Sequence, residues 1–276
     1  MDLWFTEKQT PDLGLSFQLE GVLHKEQTPY QELAVVYTRQ YGRMLVLDGM
    51  VQTTEEDEFV YHEMIAHVAL FTHPKPKRVA VVGGGDGGAI REILKHPGVQ
   101  KAVLAEIDER VIAASKEYLP SISSALDDPR VEIAVGDGME HIRNKENYYD
   151  VILIDSTEPV GAAIGLFSPE FYRSVHRALT GNGIMVAQTE SPFVNGDLLA
   201  NSFQAVQGIF PITRLYLASI PTYPSGLWSF TMGSKVHDPL TCQLSPRGEM
   251  TTKYYNFDLH RACFTLPNFV RDLLKL

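Results

Sequence analysis

The sequence predicts an α/β protein: a doubly wound, Rossmann-like sheet preceded by a small N-terminal antiparallel β domain. Three observations carry this expectation. From Lys77 onward, short apolar runs alternate with amphipathic ones, the pattern of strands and crossover helices in a parallel sheet. Residues 1–58 hold instead only short β-rich runs broken by Gly, Pro and polar turns. At the first strand-to-helix junction stands "VVGGGDGGAIRE", residues 81–92, with five glycines around one acid, Asp86. A loop so rich in glycine invites a phosphate, yet it carries a carboxylate that a phosphate would repel.

In the N-terminal domain, residues 1–58, "LGLSFQLEGVLHKEQ", "QELAVVYTRQYG" and "RMLVLDGMVQTT" read as strands, with tight turns at "YGR" and "LDGM". The composition then changes. "EEDEFVYHEMIAHVALFTH" has helical periodicity, with Phe59, Ile65, Ala66 and Ala69 on a shared face, acids at its start and "HPKPK" as its stop. It opens the larger domain, residues 59–276. There "RVAVV", "KAVLAEID", "RVEIAVGDG", "YDVILID" and "GIMVAQ" read as strands. "AIREILKH", "ERVIAASKEYL" and "SPEFYRSVHRALT" read as helices, the last with a Ser-Pro start and Gly181 as its stop. In such sheets ligands bind at the carboxyl ends of the strands.

Bulk composition narrows the function. The 276 residues, 44% hydrophobic and 21% charged, are ordinary for a globular chain. A net charge of −10 without a basic stripe argues against nucleic acid and fits a cationic ligand, although an acidic balance commonly serves solubility alone. Cys242 and Cys263 stand apart, with no CxxC or Cys/His spacing, and read as reduced, buried and unrelated to zinc. The first residues lack a signal-peptide pattern, and no apolar run approaches the ~18 residues of a membrane span. A soluble cytoplasmic protein, bound to neither membrane nor nucleic acid, is expected.

The acids around the glycine loop point to a nucleoside. Glu106, some twenty residues past Gly83 at the end of the second strand, stands where a carboxylate receives two ribose hydroxyls. No Gly-Lys-Ser/Thr follows the glycines, which excludes a Walker loop and leaves dinucleotides and S-adenosyl compounds. Asp86 bears on that choice. A pyrophosphate at a helix start wants bare N–H groups and loses Coulomb energy to a carboxylate, whereas a sulfonium gains it. Ordinary S-adenosylmethionine still brings a carboxylate that Asp86 would oppose. A donor without that carboxylate presents a bare aminopropyl ammonium, which Asp86 would attract. Alternatively, Asp86 merely caps the helix that follows.

The third strand ends in "GDG", where Asp137 can accept from an adenine amine and Gly138 lets the ring approach. The fourth ends in "DVILIDSTEP", which places Asp155 and Glu158 in the crevice above the sheet; Asp150, at the opposite end, reads as structural. Paired carboxylates in a cleft hold a metal, act as acid and base, or grip a cation. Lacking neighbouring ligands, the metal reading gives way to a polyamine grip opposite Asp86.

Together these residues resemble the polyamine aminopropyltransferases, the bacterial-type spermidine synthases in particular. The resemblance rests on "YGRMLVLDGMVQTTEEDEFVYHEMIAH", "VVGGGDGGAIREILKH", "DSTEP", "VAQTESP" and "IPTYPSGLWSF", and covers about Trp4 to Val270. It implies decarboxylated S-adenosylmethionine as donor, putrescine as acceptor, and spermidine and methylthioadenosine as products. It also implies a Rossmann-like domain of S-adenosylmethionine-methyltransferase type and a homodimer or homotetramer. The chemistry would need no metal and no prosthetic group.

Carried over to matching positions, Asp155 corresponds to the family's proton acceptor, Asp86 to the acid holding the donor's amine, and Glu106 to the ribose ligand. Asp137 and Gly138 match the adenine contacts. Gln31 and His62 fall where the family contacts donor or polyamine, and Tyr61, Gln188 and Tyr223 where it lines the diamine site. Trp228 either joins that lining or is a strand-core aromatic. Two positions depart from the family pattern. Glu158 stands where the family commonly has Asp gripping the acceptor's far ammonium, so cadaverine, agmatine or spermidine compete with putrescine as acceptor. Ala162 replaces a common proline that touches the nucleoside.

Rival readings leave residues unexplained. A methyltransferase would share the glycine loop, Glu106 and Asp137 but not account for Asp86 with Asp155, Glu158 and "PTYPSG". A scaffold that has lost catalysis would not need Asp86 and Asp155, and Asp86 opposes an NAD-dependent dehydrogenase on charge. "HEMIAH" fails as a zinc-protease motif because His62 and His67 lie five apart, about 140° around a helix. His24, His96, His141, His176, His237 and His260 read as scattered surface or helix-end residues.

Overall fold

The computed structural model describes residues 2–157 and 161–276, with side chains at 2–157 and 164–276. The N-terminal sheet is an antiparallel meander of β1 (Leu3–Lys8), β2 (Gly14–Gln27), β3 (Glu32–Thr38), β4 (Gly42–Leu47) and β5 (Met50–Thr54). The β4–β5 turn places Asp48 and Gly49 at φ 48° and 80°, the paired left-handed conformation that matches strand twist. Period two splits β3 and β4 between two cores. Leu33, Val35, Leu45 and Leu47 pack against Val111, Ala114 and Ile122 of the larger sheet's helices, while Val36, Met44 and Val46 pack with Phe17 and Val51.

Helix α1 (Glu58–Thr72) leads into the second sheet. Its strands and helices follow as β6 (Arg78–Gly83), α2 (Gly88–Leu94), β7 (Lys101–Glu106), α3 (Glu109–Tyr118), α4 (Pro120–Ser123) and β8 (Val131–Val135). Then come α5 (Gly138–Arg143), β9 (Tyr149–Asp155), a 3-10 turn over Gly161–Phe167, α6 (Pro169–Ala178) and β10 (Leu179–Gln188). The chain ends with α7 (Gly196–Gln207), β11 (Ile212–Ser219), β12 (Leu227–Ser234), α8 (Phe257–Ala262) and α9 (Asn268–Leu274). The strand order is β11-β12-β10-β9-β6-β7-β8. The order reverses at β6 and β9, and it is there that a ligand crevice opens in a doubly wound sheet.

Both faces of this sheet's central strands are buried, as parallel strands require. Val79, Val81, Leu104, Val151 and Val186 face α1 and α2, while Ala80, Val82, Val103, Ile152 and Met185 face α5 and α6. The all-parallel expectation fails at one strand: β12 runs antiparallel to both β10 and β11. Only a short hairpin joins β11 to β12, too short for the crossover that a parallel pair needs.

Helix α1 also departs from the amphipathic expectation, since every residue but Phe59 is buried. One side lies on the sheet, and the C-terminal segment covers the other. Glu63 accepts the backbone N–H groups of Lys253, Tyr254 and Tyr255 at 2.8 Å each, and Arg247 donates to the Leu70 and Phe71 carbonyls at the helix end. Two histidines read as surface or helix-end residues, His96 and His260, are fully buried. His96 meets His67, and His260 meets the Tyr255 hydroxyl, so each ring has a polar partner inside. Both cysteines are free; Cys263 is buried, but Cys242 is only half-buried. Among the described residues no helix is long and apolar enough to cross a membrane.

Candidate active site

The carboxyl ends of β6, β7, β9 and β10, the β11–β12 hairpin and the β4–β5 end of the N-terminal sheet enclose a cavity of about 320 Å³. The glycine loop can approach its wall only because it lacks side chains. Gly83 and Gly84 sit at φ 80° and 70°, and a Cβ there would strike the backbone oxygen and Oδ2 of Asp155. A Cβ at Gly88 would strike the His62 ring.

Asp86 does two things at once. Its Oδ1 accepts the Gly88 N–H at 2.7 Å at the start of α2, and it stands 3.3 Å from His62 Nε2 at the cavity wall. His62 Nδ1 in turn lies 2.6 Å from Glu58 Oε2, which also accepts from Arg91 Nη2 at 2.7 Å. Burial disfavours the imidazolium, but Asp86 and Glu58 outweigh it and hold His62 well above its ordinary pKa. By the same reciprocity, His62 and the Gly88 N–H overcome burial and keep the Asp86 carboxyl below the usual range.

This charge chain continues away from the cavity through Arg91, Glu92 and His67 to His96, with contacts of 2.8, 3.1 and 3.0 Å. Burial and then the neighbouring His67 push His96 down to about 2, so that ring is neutral. His62 and His67 thus serve two different ends of the network. Among the described residues no three His, Cys, Asp or Glu side chains gather as a metal set.

Asp155, at the end of β9, accepts the Tyr61 hydroxyl on Oδ1 at 2.6 Å. Its Oδ2 is buried without a hydrogen-bond partner among the described residues. Burial, and then the charge of Asp86, lifts this carboxyl to about 6. A buried acceptor atom left open beside a cavity, on a group that titrates near neutrality, is suited to take a proton from a ligand.

The nucleoside-side residues cluster as well. Glu106 accepts the Gly85 N–H on Oε2 at 3.2 Å and the Asp108 N–H on Oε1 at 2.9 Å, and burial pushes it up to about 7. Asp137 caps α5 through Oδ1, accepting from Met139 N at 2.8 Å, and also lines the cavity beside Gly138. Gln31 reaches the same wall from the β2–β3 loop.

On the opposite wall, the Tyr223 ring packs 5.6 Å from Tyr61 and 4.8 Å from Trp228, and its hydroxyl donates to the Gln52 carbonyl at 2.6 Å. Trp228 is both a buried strand residue and part of the cavity lining, so its two readings coincide. Gln188 lines the cavity with its amide engaged: Nε2 donates to the Ser156 carbonyl at 2.9 Å and Oε1 accepts from Glu190 N at 3.1 Å. Glu158 lies outside the described residues, as does the side chain of Ala162.

Two family models match the chain: the spermine/spermidine synthase domain over residues 58–243, and the spermidine synthase tetramerisation domain over residues 3–55. The chain belongs to the spermine/spermidine synthase family. Polyamine aminopropyltransferases of Caldicellulosiruptor bescii and Bacillus mycoides are 59% and 60% identical to it over 275 residues, covering all of this chain and 99% and 100% of theirs. A solved spermidine synthase in complex with the transition-state analogue AdoDATO has 43% identity and a TM-score of 0.97, over 99% of this chain and 95% of that one. The Thermotoga maritima spermidine synthase has 42% identity and a TM-score of 0.94, over 99% and 94%. Membership in this family makes the chain an aminopropyltransferase and sets aside the methyltransferase and dehydrogenase readings. The match of residues 3–55 to a tetramerisation domain supports an oligomer.

Sequence reasoning missed several members of the site. Glu190 is buried in the cavity wall at φ 68°, and its Oε2 accepts from Asn195 at 3.0 Å. Its signal was available in "VAQTESP", where a polar run follows a buried strand. The contribution of Leu47, Met50 and Gln52 from the N-terminal sheet had no signal, because alternation along a strand does not say what its end will meet. Glu58 and Arg91 were readable only in part, from the four-residue spacing of Glu58 and His62 on one helix.

Proposed function

We propose that the protein is a spermidine synthase, transferring the aminopropyl group of decarboxylated S-adenosylmethionine to putrescine and releasing 5′-methylthioadenosine. The observation that carries this reading is Asp155, a cavity-lining residue with one oxygen held by Tyr61 and the other buried against Gly84 with no hydrogen-bond partner among the described residues. Asp86 takes the donor's amine, Glu106 and Gln31 its ribose, and Asp137 and Gly138 its adenine, with Ala162 beside the nucleoside. The acceptor lies along Tyr61, Tyr223 and Trp228, whose faces suit a chain that is aliphatic between two cationic ends. Gln188 braces that wall, and Glu158 grips the far ammonium. His62 acts through Asp86.

The reaction is a displacement at carbon. The amine lone pair forms a C–N bond to the methylene next to sulfur, and the C–S electron pair leaves on sulfur as a neutral thioether. The attacking nitrogen then loses its extra proton to Asp155 and onward to solvent. An alkylammonium titrates near ~10.4, so presenting its neutral form at pH 7 costs about 4–5 kcal/mol. A carboxyl lifted to about 6 accepts that proton about 3 kcal/mol more readily than an ordinary one. Because the leaving group departs neutral from a sulfonium, the step calls for no Lewis acid and no prosthetic group. The proposed form is a cytoplasmic homodimer or homotetramer assembled through the N-terminal sheet.

The test is one mass-spectrometric competition. Purified protein is mixed with decarboxylated S-adenosylmethionine and equimolar putrescine, cadaverine, agmatine and spermidine, with a parallel tube containing S-adenosylmethionine. Methylthioadenosine and spermidine as the main products are expected. A different aminopropylated amine would reassign the acceptor, and no turnover would leave a scaffold that has lost catalysis.

A further inference from the structure

Asp108 is buried outside the cavity, 1% exposed, at the N-cap of α3. Capping uses only one of its oxygens: Oδ1 accepts the Arg110 N–H at 3.0 Å. The other reaches across to the N-terminal sheet, where Oδ2 accepts the Thr28 hydroxyl at 2.7 Å and Gln31 Nε2 at 3.0 Å. The 28–31 segment between β2 and β3 is closed on itself by the Thr28 hydroxyl, which accepts from Tyr30 N and Gln31 N at 3.1 Å each. Asp108 is what ties this turn to the end of β7. Its own backbone N–H donates to Glu106 Oε1 at 2.9 Å.

An amide has two ends of equal shape and opposite polarity. A carboxylate has no proton to give, so only the NH₂ end of Gln31 can face Asp108. That leaves Oε1, a pure acceptor, as the end not held by Asp108, on a side chain that lines the cavity. Glu106 already spends part of its accepting capacity on the Gly85 and Asp108 N–H groups. A ribose arriving with two hydroxyl donors therefore gains from a further acceptor next to Glu106.

Resting on the nucleoside-donor reading above, we propose that Asp108 is a positioning residue for the donor: it orients the Gln31 amide and steadies Glu106, so that both present acceptors to the ribose hydroxyls. Asp108 acts through these two side chains and touches no substrate.

The test exchanges the polarity of the Asp108–Gln31 pair. Asp108→Asn keeps the helix cap, since Asn caps as well as Asp, but offers Gln31 a donor and so turns its amide over. The Kd for methylthioadenosine and the KM for the donor are expected to rise about tenfold, with kcat at saturating donor within about twofold. Gln31→Glu alone sets two carboxylates about 3 Å apart and should bind worst. Combined, the two changes restore a donor facing an acceptor and leave one oxygen for the ribose, so affinity should return to within about threefold of wild type. A merely structural Asp108 would not be rescued by a change at position 31.

Unchanged affinity in Asp108→Asn, or a double variant no tighter than the weaker single one, would overturn the inference. If Asp108→Asn does not accumulate, Gln31→Glu decides alone. Its methylthioadenosine affinity should fall below that of Gln31→Ala, because a carboxylate held against Asp108 is worse than no side chain there; an affinity equal to or above that of Gln31→Ala would refute the mechanism. Wild type that neither binds methylthioadenosine nor turns over the decarboxylated donor would sink the nucleoside reading itself. Wild type that does both without any rescue would sink this inference alone.

Discussion

Replacing Asp155 by Asn should destroy turnover and yet stabilise the ligand-free protein, and the stabilisation should depend on pH. In the folded chain, burial and then Asp86 lift the Asp155 carboxyl from an ordinary 3.8 to about 6. That difference makes the ionised form about 3 kcal/mol less favourable folded than unfolded, at 1.36 kcal/mol per pH unit. The sign follows from proton uptake: between about pH 4 and pH 6 the folded state binds the proton more tightly, so stability falls as pH rises through that window. Below it there is no penalty; above it the penalty is complete. Asn carries no charge at any pH and avoids the penalty. Its amide nitrogen at the site of Oδ2, which has no partner among the described residues, costs about 1–2 kcal/mol, which leaves a net gain of about 1–2 kcal/mol at pH 8. For a chain of this size that is about 2–6 °C in Tm.

The assay is thermal unfolding of ligand-free wild type and Asp155→Asn at pH 8, 6.5 and 5, paired with initial rates. The variant should unfold at the higher temperature at pH 8, with its advantage shrinking toward pH 5, and its kcat should fall at least a hundredfold. A variant equal to or less stable than wild type at pH 8, or an advantage of the same size at pH 5, would refute the account of the raised carboxyl. A mild loss of kcat would remove Asp155 as the proton acceptor.

Tyr61→Phe removes the 2.6 Å hydrogen bond that favours the Asp155 carboxylate, so the acid limb of the kcat profile should move to higher pH and kcat should fall roughly tenfold; an acid limb that stays in place would count against it. Glu58→Gln breaks a buried pair on both His62 and Arg91 and should cost about 3 kcal/mol, read as a lower urea midpoint, while the His62 ring titrates at lower pH by NMR. Glu58→Gln with an unmoved His62 would mean that Asp86 alone holds the imidazolium. Glu158→Asp should shift the ranking of acceptors by length in the competition assay; an unchanged ranking would make this departure from the family silent.

Much of this architecture was legible because local rules and global packing agree. The glycine loop, Glu106 and "GDG" lie at strand ends, where the parallel sheet forces them together, so their positions along the chain predicted a shared crevice. The antiparallel β12 was not legible: β10 and β12 are both buried along the stretch where they pair, and direction is set by the connection rather than by the strand. Burial around α1 escaped for a related reason. Its outward face is covered by Tyr254, Tyr255 and Arg247, residues about 190 positions away that only the tertiary structure brings back. The His67–Glu92–His96 cluster shows the same limit, because His67 lies 25 positions before Glu92 and such polar residues resemble surface until their burial is seen.

Asp86 is where reasoning from charge needs the structure most. On the sequence, a lone carboxylate in a phosphate-type loop argues for a cationic ligand, with helix capping as the alternative. In the fold Asp86 is a cap and a cavity residue together, and it is not a lone charge. The four charges of Asp86, His62, Glu58 and Arg91 are close together and cancel. A cation entering the cavity is therefore drawn less by Asp86 as a net charge than by Asp155 and Glu106, whose carboxyls burial has lifted to about 6 and about 7. At pH 7 the first is mostly ionised and the second about half, and a positive ligand or a rise in pH favours the ionised form further. What His62 contributes is permanence: by holding Asp86 ionised inside the protein, it keeps a fixed acceptor at the loop, while Asp155 beside it stays free to gain and lose a proton. Two carboxylates at one wall thus take different roles, one locked by an imidazolium and one left to titrate, and that division is what a displacement needing both an anchored cation and a proton acceptor requires.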